Sequence, residues 1–243
     1  MLANSSDSPI AELKAAKILA STEIRWPGLL LLLLLNCLPA AHLLSIIAVL
    51  LLSHLHWPVR TSIAFAMLYL APPFGARLIF LMAPISQGRI AVGSKSFFSW
   101  WASFQFQIIF CRLPFLEEIL RLFPGLYSLW LRLWGSHIGR LTYWSPGTAI
   151  TDRSFLCIDD DVVFGAGVRL NAHVLAKNKE GQMELILAAL KIGNRVVVGG
   201  YSLLTAGAEI SSGEATQARL LLPPFSLWKD GKRIKNKQFD ETE

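Results

Sequence analysis

The chain has 243 residues, of which 53% are hydrophobic and 16% are charged, and its formal net charge is +6. This hydrophobic share is too high for an ordinary soluble protein. The basic balance would suit nucleic acid, but the sequence has no recognition helix or aromatic base platform, so we expect no nucleic-acid partner. Three cysteines stand at no metal-ligand spacing, and neither a metal site nor a disulfide is predicted: Cys37, Cys111 and Cys157.

Two apolar runs dominate the N-terminal third. Residues 1–27 form a cytoplasmic N-terminal segment, and residues 28–84 are predicted to be a two-helix transmembrane anchor. The first run, residues 29–52, is long enough to cross a bilayer and too long for a cleaved signal peptide. The second run, residues 61–82, contains Pro72-Pro73, so its C-terminal half is expected to be re-entrant or interfacial.

Polar and basic residues indicate how the anchor is arranged. Asn36 and His42 interrupt the first run, and His42 is expected to make a neutral hydrogen bond to the other helix because it has no charged neighbour in the span. Basic residues flank the two runs and are scarcer between them, so the positive-inside rule places both termini in the cytoplasm, at the cell inner membrane. The flanking basic residues are Lys14, Lys17, Arg25, Arg89 and Lys95.

Residues 85–135 are rich in tryptophan, phenylalanine and leucine, with arginines and glutamates between them. Segments of this composition lie in the headgroup region, with aromatic and basic side chains at the water boundary. Breaks at Pro114 and Pro124 predict two short interfacial amphipathic helices. The alternative is a third span from Phe97 to Phe110, which would reverse the side of the C-terminal domain.

Between Ile192 and Ala215 the sequence repeats every six residues, in the hexads IGNRVV, VGGYSL, LTAGAE and ISSGEA. A period of six fits neither an α-helix nor an ordinary strand, and fixed-period repetition is typical of a solenoid. Two earlier blocks begin at Ile138 and Ile158, and a two-residue slip separates them. We predict a short β-helix over residues 136–228, in which every sixth side chain points to the axis and the small residue after it lets the chain turn a corner.

The hexads stop after Leu170, and residues 171–191 form an excursion before they resume. A solenoid tolerates such an insertion as an external loop, and loops on a rigid scaffold commonly carry functional sites. His173 stands at the exit point, and a histidine can take a proton from an alcohol or amine near neutral pH. Asn171 is the nearest plausible partner for its ring. The acidic run Asp159–Asp161 is expected to be a solvated turn.

Residues 229–243 form a basic C-terminal tail. Anionic lipid or the phosphates of a cofactor are the expected partners of this charge, and a merely solvated tail is the open alternative.

These features resemble the hexapeptide-repeat acyltransferases. The resemblance covers residues 127–235 and rests on the hexads, the excursion with its histidine, the stretch IGNRVVVGGYSLLTAGAEISSG and the closing LPPFSLWKDGKRIK. It implies a left-handed parallel β-helix, commonly ended by a PPxS segment and a basic helix. The stretch FPGLYSLWLRLWGSHIGR is similar to the entry to such domains in membrane-anchored members. The expected fold class is therefore an α+β membrane protein, with transmembrane and interfacial helices followed by a short hexapeptide solenoid.

The resemblance also implies a reaction, the transfer of an acetyl or longer acyl group from acyl-CoA to a hydroxyl or amine without a covalent enzyme intermediate. His173 would be the general base, with Asn171 as its orienting partner, and a backbone N–H of a neighbouring coil would stabilise the oxyanion. In such relatives the site lies between subunits of a homotrimer. The donor would then contact small and basic residues: Gly199, Gly200, Ala206 and Gly207 along the pantetheine arm, and Lys232 and Arg233 near the phosphates.

Two other function classes stay open at this point. A non-catalytic scaffold would trimerise or dock other proteins through the repeat domain, and His173 would be dispensable in it. A transporter or channel subunit would need polar residues along a pore, and two spans with only Asn36, His42 and Arg77 argue against it. The anchor favours an acceptor borne by a membrane lipid, with a soluble acceptor as the alternative.

Overall fold

Helices form the N-terminal half and short strands the C-terminal half of the computed structural model, which describes residue 24 and residues 26–235. Most of the predicted N-terminal segment, with Lys14, Lys17 and Arg25, lies outside the described residues. So does the end of the predicted C-terminal tail, residues 236–243.

The first three helices correspond to the two apolar runs. Helix α1 covers Trp26–Leu52, and by length and composition it is able to cross a membrane. Helices α2 (Trp57–Tyr69) and α3 (Ala71–Met82) meet the same test only as a pair that is bent by 42°. Pro72 and Pro73 fall in the first turn of α3, where the missing proline N–H groups would have no partner within the helix, but neither can donate back to α2. The prolines therefore divide the second run, as the sequence indicates.

Residues 85–135 contain more elements than the two interfacial helices predicted. A strand, β1 (Gly88–Ala91), is followed by four helices. These are α4 (Lys95–Gln105), α5 (Ile108–Arg112), α6 (Phe115–Arg121) and α7 (Leu126–Leu133). A third span from Phe97 to Phe110 is excluded, because α4 ends at Gln105 after 11 residues and a span needs about 20.

Three parallel sheets form the C-terminal domain, and the chain visits them in turn. The first contains β2 (His137–Ile138), β5 (Leu156–Ile158), β10 (Leu190–Ile192), β13 (Glu209–Ile210) and β15 (Ser226–Lys229). The second contains β3 (Tyr143–Trp144), β6 (Val163–Phe164) and β11 (Val197–Val198). The third contains β4 (Ala149–Ile150), β7 (Arg169–Asn171), β12 (Leu203–Thr205) and β14 (Leu221–Leu222). This is the parallel β-helix expected from the hexads, and its left-handedness stays a prediction.

The hexad positions form the core of the β-helix. Ile158, Phe164 and Leu170 of one coil are fully buried, and Val198 and Leu204 of the next coil lie directly over Phe164 and Leu170. Each such side chain contributes about 1.5–3 kcal/mol of burial free energy. The period of six therefore predicts the interior correctly.

The small residues after the hexad positions have a different role from the one predicted. A Cβ on Gly139, Gly165 or Gly199 would lie 2.3–2.5 Å from backbone atoms of the adjacent coil, so these glycines permit the coils to stack. The corner itself is turned two residues later, where Leu141 and Tyr201 have φ angles of +53° and +58°. Side chains are tolerated at those corners despite the left-handed backbone.

This geometry changes the expected effect of replacing Gly199. We expect Gly199→Val to lower the free energy of unfolding by about 1–3 kcal/mol, because its Cβ would lie 2.3 Å from the Gln217 carbonyl oxygen. Thermal unfolding in detergent measures this, with Gly213→Asn as the control, since the space beside Gly213 is open. An unchanged melting temperature together with lost donor affinity would instead support the donor contact predicted from sequence.

Helices α6 and α7 cover the open edge of the first coil. Arg132 Nε donates to the Ile138 carbonyl at 2.8 Å, and Arg121 Nη2 donates to the Thr148 carbonyl at 2.8 Å. Unpaired strand edges invite aggregation, so these arginines satisfy and protect the edge. The outer side of the two helices is apolar and exposed, including Phe115, Leu122 and Phe123.

The other end of the solenoid closes with a hairpin. Strand β16 (Lys232–Lys235) pairs antiparallel with β15, and the turn residues Asp230 and Gly231 both have positive φ. The basic helix implied by the resemblance is therefore wrong for residues 226–235, where the described chain forms this hairpin. Asp-Gly is a strong signal for such a turn, because both positions require a left-handed backbone.

Candidate functional site

The excursion from the solenoid is an ordered hairpin rather than a loop. Strands β8 (His173–Lys177) and β9 (Met183–Leu187) pair antiparallel, and β1 pairs with the other edge of β9. Leu185 and Leu187 are fully buried in a cluster with Trp100. Arg89 also forms an ion pair with Glu184 across the sheet. Strand β9 of the excursion is thus held in place by its pairing with β1, by the buried cluster and by this ion pair.

His173 forms a pair with Asp152 at the corner where the excursion begins. The His173 Nδ1 atom lies 2.5 Å from Asp152 Oδ2. Asp152 is 1% exposed and also accepts hydrogen bonds from Trp100 Nε1 and Thr151 Oγ1, each at 3.0 Å. When Nδ1–H donates to a carboxylate, the other ring nitrogen, Nε2, keeps its lone pair for a proton. An imidazole held in this way can accept a proton at Nε2.

Two aromatic residues of α4 enclose the imidazole. The ring centroids of Trp100 and Phe104 lie 4.9 Å and 5.3 Å from that of His173. They are four residues apart, so they share one face of the helix. The His173 side chain remains 20% exposed.

A buried ion pair holds the residue after Asp152. Arg153 is 1% exposed, and its Nε donates to Glu117 Oε1 at 2.6 Å. Its backbone N–H donates to Gln107 Oε1 at 2.7 Å. Burial by itself lowers the pKa of Arg153, but the Glu117 carboxylate more than offsets this and raises it above the usual value. The residue that follows Asp152 is therefore held by a buried ion pair and a backbone hydrogen bond, and this restrains the position of Asp152.

The orienting partner of His173 is Asp152 rather than the predicted Asn171. Within the described residues, the Asn171 Oδ1 atom is buried without a hydrogen-bond partner. Asp152 lies at the same corner one coil earlier, since β4 pairs with β7. The signal available in the sequence was the two-residue slip after Ile150, which interrupts the hexads at the same corner as the excursion.

The predicted donor residues fall at three places. Ala206 and Gly207 lie at the corner of His173, one coil further on, where Gly207 N–H donates to the Ala188 carbonyl at 3.1 Å. Ala206 is fully buried, and the Phe225 ring fills the space beside Gly207. Gly199 and Gly200 lie at a different corner, between the second and third sheets. Lys232 and Arg233 are exposed on β16.

The cavity, the acidic groups and the cysteines elsewhere in the described chain do not form a comparable site. A cavity of about 470 Å³ lies between α6, α7 and the first coil, at a corner that does not include His173. Within residues 26–235 no group of three or more histidine, cysteine, aspartate or glutamate side chains is arranged to hold a metal ion. The cysteines are free thiols, and burial raises the pKa of Cys157.

Three solved acetyltransferase structures are similar to this chain. A maltose O-acetyltransferase from Clostridium difficile 630 is 16% identical, with a TM-score of 0.39 over 52% of this chain and 84% of that chain. A hexapeptide-repeat-containing acetyltransferase from Vibrio cholerae is 15% identical, with a TM-score of 0.33 over 49% and 88%. A galactoside acetyltransferase in complex with coenzyme A is 15% identical, with a TM-score of 0.34 over 56% and 85%. No family model and no curated protein matches the chain. These TM-scores are too low to support an argument about the fold. The fold assignment therefore rests on the strand pairing of this chain.

Proposed function

We propose that this chain is a membrane-bound acyltransferase that moves an acetyl or longer acyl group from acyl-CoA to a hydroxyl or amine. The observation that carries this is the His173–Asp152 pair, with Nδ1 and Oδ2 2.5 Å apart. A buried carboxylate on one ring nitrogen leaves the other free to act as a base.

In the proposed reaction, His173 Nε2 takes the proton of the acceptor as its oxygen or nitrogen attacks the thioester carbonyl. The carbon–sulfur bond then breaks, the acyl group stays on the acceptor, and the imidazolium returns the proton to the departing coenzyme A thiolate. Asp152 stabilises the imidazolium that forms between these steps. No metal takes part in this sequence.

The donor is proposed to be acetyl-CoA or another acyl-CoA, and the assembly a homotrimer with its site between subunits. His173 is 20% exposed, as a site shared between subunits requires, and the exposed Lys232 and Arg233 would suit nucleotide phosphates. The mass of the purified protein in mild detergent tests the trimer. A monomer that retains full turnover would contradict an intersubunit site.

The acceptor is proposed to be borne by a membrane lipid, at the cytoplasmic face of the inner membrane. Leucines of α1 such as Leu33, Leu44 and Leu51 are more than half exposed, and such a surface suits hydrocarbon better than water. Leu32 of the same helix packs against the cluster that contains Trp100. The candidate site therefore lies beside the proposed anchor.

Radiolabelled acetyl-CoA supplied to the protein in liposomes tests this function. Label that moves into the organic extract supports a lipid acceptor, and label on an added sugar or amine supports a soluble one. Donor binding by calorimetry completes the test. If the folded protein neither binds acyl-CoA nor transfers label, the enzyme proposal fails and the non-catalytic scaffold takes its place.

A further inference from the structure

Asn36 is a polar residue within α1, and the seven residues before it are all leucine. Its Oδ1 atom accepts two hydrogen bonds from α4, from Trp101 Nε1 at 3.0 Å and from Gln105 Nε2 at 3.3 Å. The two donors are four residues apart and therefore lie on one face of α4. The Asn36 side chain thus connects α1 by hydrogen bonds to α4, a helix of the candidate site.

The neighbouring face of α4 holds the catalytic pair. Trp100 donates to Asp152 at 3.0 Å, and Trp100 and Phe104 both contact the His173 ring. Since α4 has only 11 residues, a shift that breaks its bonds to Asn36 also moves the Trp100 indole. The contacts form one continuous path from Asn36 through α4 to Asp152 and His173.

The two helices also pack closely at other positions. A Cβ on Gly28 of α1 would lie 2.9 Å from the Phe98 ring of α4. In hydrocarbon an amide finds no water to replace lost partners, so the two bonds to Asn36 fix one register of α4 against α1. Apolar contacts alone would allow neighbouring registers at similar free energy.

We propose that Asn36 is a positioning residue for His173, and that α1 is a working part of the catalytic unit in addition to anchoring it. Asn36 acts through Trp101 and Gln105 on α4, and α4 acts through Trp100 on Asp152. The kinetic part of this proposal rests on the proposed acyltransferase function.

The test compares full-length variants in lipid nanodiscs. Asn36→Leu removes the acceptor, and Asn36→Asp keeps an oxygen that accepts both bonds. Ser45→Ala is the matched control, because among the described residues the Ser45 hydroxyl donates within its own helix, to the Ala41 carbonyl at 2.8 Å. Trp101→Phe removes one donor from the α4 side and serves if Asn36→Leu does not fold.

The first readout needs no turnover. Modification of His173 by diethyl pyrocarbonate is measured by peptide mass spectrometry relative to His137, which is exposed on β2 of the same molecule. We expect Asn36→Leu and Trp101→Phe to raise this ratio about threefold or more, and Asn36→Asp and Ser45→Ala to leave it unchanged. An unchanged ratio in folded Asn36→Leu would overturn the proposal.

The second readout is kinetic. We expect Asn36→Leu to lower kcat about tenfold with little change in the KM for acyl-CoA, because a misplacement of about 1 Å caused by a mutation far from the reacting atoms can cost as much as about 100-fold in rate. Asn36→Asp should restore kcat, and failure of this rescue would contradict the positioning role. If the wild type shows no turnover, the acyltransferase proposal fails, while the modification ratio still decides the role of Asn36.

Discussion

Asp152→Asn is expected to lower kcat by about 10³–10⁴-fold while the protein stays folded. The Asn oxygen can still accept from Trp100 Nε1, so the amide nitrogen faces His173 Nδ1 and donates to it. The imidazole is then held with its proton on Nε2, which can no longer act as a base. Loss of the correct tautomer has an effect of this size in the Ser-His-Asp proteases.

Asn171→Ala is the matched control for this prediction, because Asn171 is the partner that the sequence favours. Initial rates at saturating acyl-CoA and acceptor give kcat for both variants, and circular dichroism checks the fold. A loss confined to Asp152→Asn supports the observed pair. Equal losses in both variants, or an Asp152→Asn rate within about threefold of the wild type, would contradict it.

Glu117→Gln is expected to lower the free energy of unfolding by about 3–5 kcal/mol. Glu117 and Arg153 are 3% and 1% exposed, and their paired atoms lie 2.6 Å apart. Removing one charge leaves the other buried without its counter-ion, which costs far more than a surface pair contributes. For a protein of this size the melting temperature should fall by about 6–20 °C.

The neighbouring Glu118 provides the control. Its side chain is 39% exposed, so solvent screens its 2.6 Å pair with Arg121, and the buried Arg121 keeps a second partner in Glu117. Glu118→Gln should therefore change stability by about 1 kcal/mol or less. Similar melting temperatures for the two variants would show that the Arg153 pair is not the anchor of this corner. The paired replacement Glu117→Leu with Arg153→Met should recover much of the loss, since no lone charge remains.

The hexad pattern predicts the solenoid well because every sixth side chain obeys one constraint, burial at a shared axis. Ile192 and Ile210, which are paired across β10 and β13, follow directly from that rule. The excursion and His173 follow from its interruption. The handedness of the coil and the trimer stay predictions, because neither is fixed by the burial pattern of one chain.

The partners of His173 could not be read from local sequence. Asp152 stands 21 positions earlier. It meets His173 because the two-residue slip in the hexads and the excursion fall at the same corner of the β-helix. Strand β1 lies about 95 positions before its partner β9. With only four residues, β1 is too short to show a periodic pattern that would predict the pairing. The aromatic residues of α4 suggested a lipid interface, whereas Trp100 and Phe104 enclose the imidazole and Trp101 contacts Asn36.

The turnover of His173→Ala tests the central claim most directly. Thiol release from acetyl-CoA is measured for detergent-purified wild type, His173→Ala and His137→Ala, against a panel of lipid, sugar and amine acceptors. His137 is the matched control, an exposed histidine of the same domain that lies on β2 of the first coil. We expect acceptor-dependent release in the wild type and in His137→Ala, and a loss of at least about 10³-fold in His173→Ala. Acceptor-dependent release that survives in His173→Ala would contradict the assignment of the base.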